Sequence, residues 1–193
     1  MVESAIDIEA LPPVLRCLSR LADLSLTGYS IQASQAASLA AVLRGLTALT
    51  RLYLCHNEFG QNEHGDGGTP VLAPALSCLS RLADLDLEGS GIDAAAAAVL
   101  ARHLDAFTTL TALDLSWNEL GEAGTKALAA ALQRLSNLAA LRLQGNELSD
   151  DSLVHLMPAL ACLPNLSQLD LLTHNRFSNA GKAQLRASFP DVR

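Results

Sequence analysis

The sequence predicts an α/β solenoid: a short right-handed curved arc with a concave parallel β-sheet inside and convex α-helices outside. Three observations predict it. A leucine pattern returns six times, most returns are 28 residues apart, and the interval after the pattern carries apolar residues at helical spacing. The clearest copy places Leu110, Leu113 and Leu115 ahead of Asn118 and Leu120. It recurs 28 residues later as Leu138, Leu141, Leu143, Asn146 and Leu148, and again as Leu166, Leu169 and Leu171. Upstream stand Leu82, Leu85 and Leu87, then Leu49, Leu52, Leu54, Asn57 and Phe59 at a spacing of 33, then Leu21, Leu24, Leu26 and Ile31.

Each unit reads as strand, turn and helix. Helices are expected over 36–46, 94–104, 121–135 and 151–163, with Gly121 and Gly124 punctuating the turn into one of them. The alanine run from Ala94 to Ala98 forms helix readily and lets that helix approach the sheet closely. Parallel strands pack about 4.8 Å apart and helices about 8–10 Å apart, so equal numbers of each force a curve with the strands inside. The asparagine satisfies backbone groups where strand bends into turn, because its amide both donates and accepts. Asn57, Asn118 and Asn146 fill that position. Tyr29 and Ser90 replace it, and His174 precedes Asn175 by one, so those turns should be less regular and the last repeat carries one inserted residue.

On these leucines, asparagines and the 28-residue period, the chain resembles leucine-rich repeat proteins of the ribonuclease-inhibitor type over essentially its whole length. The expected organisation is one repeat domain over 1–193. Residues 1–20 form a half-repeat or helix, 21–177 six strand-bearing repeats, and 178–193 a closing helix and tail whose Leu185 and Phe189 seal the last layer. Five extra residues between Gly60 and Gly68 explain the one long spacing. Asn62, Glu63, His64 and Asp66 lie there but match neither the spacing nor the ligand count of a calcium loop, so this glycine-rich stretch reads as a flexible loop.

Composition bounds the partners. Half the residues are hydrophobic and 4% aromatic, so thin layers of Leu and Ala must make the core. A net charge of −7 argues against nucleic acid and leaves basic proteins open. No apolar run approaches the roughly 18 residues of a membrane span, and Met1 to Ser4 lack a secretory signal's basic start. Cys17, Cys78 and Cys162 share one repeat column, too far apart to bridge, and Cys55 lies in another. Four reduced thiols suit a cytoplasmic protein, expected to be a monomer that needs no cofactor.

Leucines turn inward, so the residues between them turn out to the hollow. The first outward column is Asp23, Arg51, Asp84, Ala112, Ala140 and Gln168; the middle is Ser25, Tyr53, Asp86, Asp114, Arg142 and Asp170. The last is Thr27, Cys55, Glu88, Ser116, Gln144 and Leu172, with Gly28, His56, Gly89, Trp117, Gly145 and Thr173 at the strand ends. Asp84, Asp86, Glu88 and Asp114 gather acid on two adjacent strands, flanked by Tyr53, His56 and Trp117. Aromatic anchors beside charges are what binding hot spots are made of. The candidate partner-binding face is therefore Arg51, Tyr53, His56, Asp84, Asp86, Glu88, Asp114, Trp117, Arg142 and Asp170. A merely solvating acidic face is the plainer alternative, and Trp and Tyr are poor choices for one.

Catalytic and metal sites are not expected. An open sheet cannot exclude water around Asp84 and Asp86, and Cys55 and His56 should point to opposite sides of a strand. His103 and His155 lie on helices without partners at ligand spacing, and no phosphate loop, zinc pattern or nucleophile elbow is present. The reading is a non-catalytic module binding a protein with a basic patch on the concave sheet. Two others stand beside it: a regulator of a small GTPase or ubiquitin ligase, including a microbial effector acting in a host cell, and a structural piece of a longer repeat array.

Overall fold

Each strand of the protein is three residues, polar–leucine–polar or close to it, and the central leucine is the inward one. The computed structural model describes residues 20–60 and 67–193. Six such strands, β1 (Asp23–Ser25), β2 (Arg51–Tyr53), β3 (Asp84–Asp86), β4 (Ala112–Asp114), β5 (Ala140–Arg142) and β6 (Gln168–Asp170), pair in chain order into one parallel sheet. Leu24, Leu52, Leu85, Leu113, Leu141 and Leu169 stand side by side across it. Each strand is followed by a helix: α1 (Ala36–Leu43), α2 (Thr69–Leu76), α3 (Ala94–His103), α4 (Gly121–Leu132), α5 (Asp150–Ala161) and α6 (Asn179–Ser188). The core is the continuous layer of leucines between sheet and helices, with Ile31, Phe59, Ile92, Phe107 and Phe177 closing the turns.

Helix boundaries follow local chemistry. Asp93 caps α3 by accepting the Ala96 N–H at 2.8 Å. Ser149 and Ser152 form a capping box at α5, with Asp150 and Asp151 facing the positive end of its dipole. The helices stop one to three residues short of the expected ends, and N–H groups of Gly45, Leu46 and Leu135 bond three residues back and tighten the last turn. Helix α2, after the long spacing, starts on Thr69-Pro70 and is only 8 residues long. Gly124 lies inside α4 rather than punctuating the turn before it. A Cβ there would sit 3.2 Å from Ala94 Cα, so the alanine run serves close helix–helix approach.

The asparagines hold the turns. The Asn118 amide donates to Leu87 O and Leu115 O at 3.0 and 2.9 Å, and its carbonyl accepts the N–H groups of Ser90 and Ile92 at 3.1 and 2.9 Å. Asn57 and Asn146 bond the same way, each joining its own turn to the repeat before it. Asn175 takes the role in the last repeat, donating to Leu171 O and Leu143 O, so the inserted residue is absorbed between Leu171 and Asn175. Ser90 is a weaker substitute, its hydroxyl reaching Leu54 O and Glu88 O at 3.3 Å, while Tyr29 turns to the surface.

One left-handed residue closes each strand. The series runs Gly28, His56, Gly89, Trp117, Gly145, His174, with φ between +55° and +70°. Glycine and ring alternate for a steric reason: each ring before a glycine lies over it. A Cβ on Gly89 would come within 2.8 Å of His56 Nδ1, and one on Gly145 within 2.8 Å of the Trp117 ring. The last member is His174 and not Thr173 as expected, because the inserted residue displaces the turn by one.

Residues 1–19, with the expected N-terminal half-repeat and Cys17, lie outside the described residues, as do residues 61–66 of the long spacing. Cys55, Cys78 and Cys162 are free thiols, the first buried and the others exposed. Among the described residues no helix is long and apolar enough to cross a membrane.

Two stability measurements test this frame. Asn118→Ala orphans three buried backbone groups, Leu87 O and the N–H groups of Ser90 and Ile92, while Leu115 O keeps the Asn146 amide, and should lose about 3 kcal/mol in urea unfolding, whereas Asn137→Ala, which removes one exposed bond to Thr108 O, should lose under about 1 kcal/mol. Gly145→Ala should cost clearly more than Gly121→Ala. Both pay the left-handed penalty of about 1–2 kcal/mol, but only Gly145 lies under a ring, while Gly121 faces open space. Equal losses would mean that the Trp117 ring does not press on Gly145.

Candidate functional site

The outward residues of the strands build the concave face, and the register sets which of them meet. Arg51 and Asp23, adjacent on β2 and β1, form an exposed two-pronged pair with Nε–Oδ1 2.5 Å and Nη2–Oδ2 2.7 Å. That pair holds the Asp23 carboxyl below the usual range through the guanidinium hydrogen bond. Tyr53 is half-buried and donates its hydroxyl to Asp84 Oδ2 at 3.0 Å. Burial, then the Asp84 carboxylate, push the Tyr53 phenol up. Arg142 bridges two acids, Nη1 to Asp114 Oδ2 and Nε to Asp170 Oδ2, both at 3.4 Å.

The centre of the face is acid with little to neutralise it. One oxygen from each of Asp86, Glu88 and Asp114 lies within 4.8 Å of the others. The Asp86 Oδ1 atom accepts the Glu88 N–H and Asp114 Oδ1 the Ser116 N–H, both at 2.9 Å, so each aspartate is pinned by the residue two ahead. Burial lifts the Asp86 carboxyl above its ordinary range, and the charges of Asp114 and Asp84 lift it further against the pull of the Glu88 N–H. Glu88 is raised for the same leading reason, then by Asp114, with His56 opposing. Such perturbed, uncompensated carboxylates mark a place where the fold tolerates an electrostatic cost.

Trp117 closes β4 at the edge of this cluster. It is 46% exposed, and its ring lies 4.7 Å from the His174 ring, tilted by 44°. His56 is exposed on the same rim, with its ring over Gly89. The rim thus presents three rings; His56 and Trp117 are expected from the sequence, and His174 is not, because the unshifted repeat assigns its place to Thr173.

Part of the expected outward face is covered. Asp114 is only 8% exposed, since Arg142 and the carboxylates of β3 crowd over it. Cys55, Ser116 and Leu172 of the last column are buried as well. Strands about 4.8 Å apart on the inside of a bend bring their outward side chains together, and the shorter ones disappear beneath the longer. Burial raises the Cys55 thiol, partly offset by Thr27, whose hydroxyl oxygen lies 3.0 Å from the sulfur, and a raised thiol is a poor thiolate.

No protein-family model matches the chain, and no curated protein matches its sequence. Among solved structures the chain is similar to actin-binding site 2 of leiomodin-1, with a TM-score of 0.55 at 14% identity, covering 95% of this chain and 87% of that one. At that identity the likeness is one of fold: a parallel sheet whose strands alternate with helices.

Proposed function

We propose that this chain is a leucine-rich repeat protein of the ribonuclease-inhibitor type that acts as a non-catalytic protein-interaction module. It docks a partner bearing a basic patch on the concave face, as a monomer in the cytoplasm. The observation that supports this most is Trp117. The chain's only tryptophan stands 46% exposed on left-handed backbone that the repeats on either side give to glycine. That conformation costs about 1–2 kcal/mol, and the exposed ring leaves apolar area in water. Both costs fall beside carboxylates that burial and mutual repulsion already disfavour. A buried aromatic anchor ringed by opposite charge recovers such costs when a partner excludes water. Leiomodin-1 offers an actin-binding example of the shared fold, although at 14% identity no contact of that site carries over.

The docking residues are Trp117, His56, Tyr53, Asp84, Asp86, Glu88 and Asp170, with Arg51 and Arg142 setting the pattern of charge among them and the covered Asp114 adding its charge from beneath. Affinity capture with the wild type and with a Trp117→Ala/Glu88→Gln double variant tests the reading. Basic proteins should be retained by the wild type, released as salt rises, and lost from the variant. Recovery of the same proteins in the same yield on both would remove it.

The acid cluster also predicts a pH signature. A carboxyl raised in the folded state stabilises the fold when protonated and costs stability once pH passes its unfolded value, so the cost is present at neutral pH and absent in acid. In metal-free buffer Asp86→Asn, whose amide oxygen still accepts the Glu88 N–H, should melt above the wild type at pH 7. The gap should close as pH falls through the ordinary carboxylate range. A variant that melts lower at pH 7 would show that Asp86 stabilises the fold instead.

A further inference from the structure

We propose that Asp86, Glu88 and Asp114, together with the hydroxyl of Ser116, form a site for a divalent cation of the calcium or manganese kind at the centre of the concave face. The spacing is that of a shared ion. Oxygens held by one calcium at about 2.4 Å each lie at most about 4.8 Å apart, and the three carboxylates each place an oxygen within 4.8 Å of the other two. Such ions take carboxylate, hydroxyl and water oxygens and tolerate irregular geometry.

A second observation points to the same place. The Ser116 side chain is 0% exposed, and its Oγ is the one buried side-chain oxygen or nitrogen among the described residues that has no hydrogen-bond partner. A buried polar atom left so is uncommon and costly. Its direction follows from the repeat. In the first repeat, Ser25 and Thr27 hold the positions of Asp114 and Ser116, and their oxygens lie 3.2 Å apart on the same side of the chain. Thr27 Oγ1 in turn reaches Cys55 on the next strand at 3.0 Å. The same register sets Ser116 beside Asp114, whose Oδ1 accepts the Ser116 N–H, and across from Glu88, and strand alternation after the inward Leu115 turns its side chain to the concave face. The unpartnered hydroxyl thus belongs to the face that carries the carboxylate cluster, and would supply a neutral fourth ligand.

Arg142 does not block the ion. It contacts Asp114 only at 3.4 Å, reaches Asp170 at the same distance, and can remain on Asp170 while Asp114 turns to a metal. Metal and a basic group of a docked partner would compete for the same oxygens, so the ion would regulate docking. The site itself does not depend on the docking reading.

The test uses metal alone. Terbium is a luminescent stand-in for calcium, and Trp117, the only tryptophan, follows Ser116 directly, so exciting it should sensitise a bound ion. Wild-type protein should give saturable terbium emission that calcium displaces, and calcium calorimetry should show one site. Apparent affinity should fall at least about tenfold in Asp86→Asn and several-fold in Ser116→Ala. Asp151→Asn, a surface carboxylate on α5, should bind like the wild type, with circular dichroism confirming that all variants are folded. Flat calcium calorimetry together with no saturable emission overturns the site, and so does binding by folded Asp86→Asn and Ser116→Ala equal to the wild type. Neither result touches the partner-capture test, which is run in chelator.

Discussion

The structure depends on the amide of one residue per turn. Strands of three residues give few ladder bonds, and every turn leaves N–H and carbonyl groups inside a layer that water does not reach. Asn57, Asn118, Asn146 and Asn175 satisfy both kinds at once, and each bonds to its own turn and to the turn before it. The leucine layers supply most of the driving force, but leucine alone would stack coils in any register. The amides fix the rotation of each coil on the last, and hence which outward residues meet on the face. The ion-paired, phenol-bonded and uncompensated regions of that face are therefore all consequences of buried polar bonds some distance from it.

Much of this was legible in the residues themselves. Leucine spacing specifies strand, inward face and period, because a three-residue strand flanked by two further leucines has one alternation that buries them. The asparagine ladder and the role of Asn175 followed from the same spacing. Helix ends were less legible: the last turns tighten into shorter bonds at Gly45 and Leu46 that composition does not mark. The outward columns are legible in the spacing as columns but not as surfaces. Asp114, Ser116, Cys55 and Leu172 are hidden because neighbours converge on the inner side of a bend, which a pattern written for one chain segment cannot include. His174 was hidden by a single inserted residue that moves the left-handed position from Thr173.

The face gathers unfavourable features. Left-handed backbone at His56, Trp117 and His174, carboxylates lifted by burial at Asp86 and Glu88, and an unmatched hydroxyl at Ser116 all lie within a few residues of one another in the repeat frame. The helical side shows the opposite tendency, with capped ends and an exposed pair between Arg134 and Asp105. Local rules are kept where the chain needs only to stand, and broken on the side that points into the hollow.

The alternation of ring and glycine at the strand ends sets a rule for how such a chain can be lengthened or shortened. Each ring needs the bare backbone of the following unit beneath it, as Trp117 needs Gly145 and His56 needs Gly89. Excising one unit between them would stack ring on ring or leave two bare turns together. The modular element at this edge is therefore a couplet, and insertions or deletions that respect it come in twos.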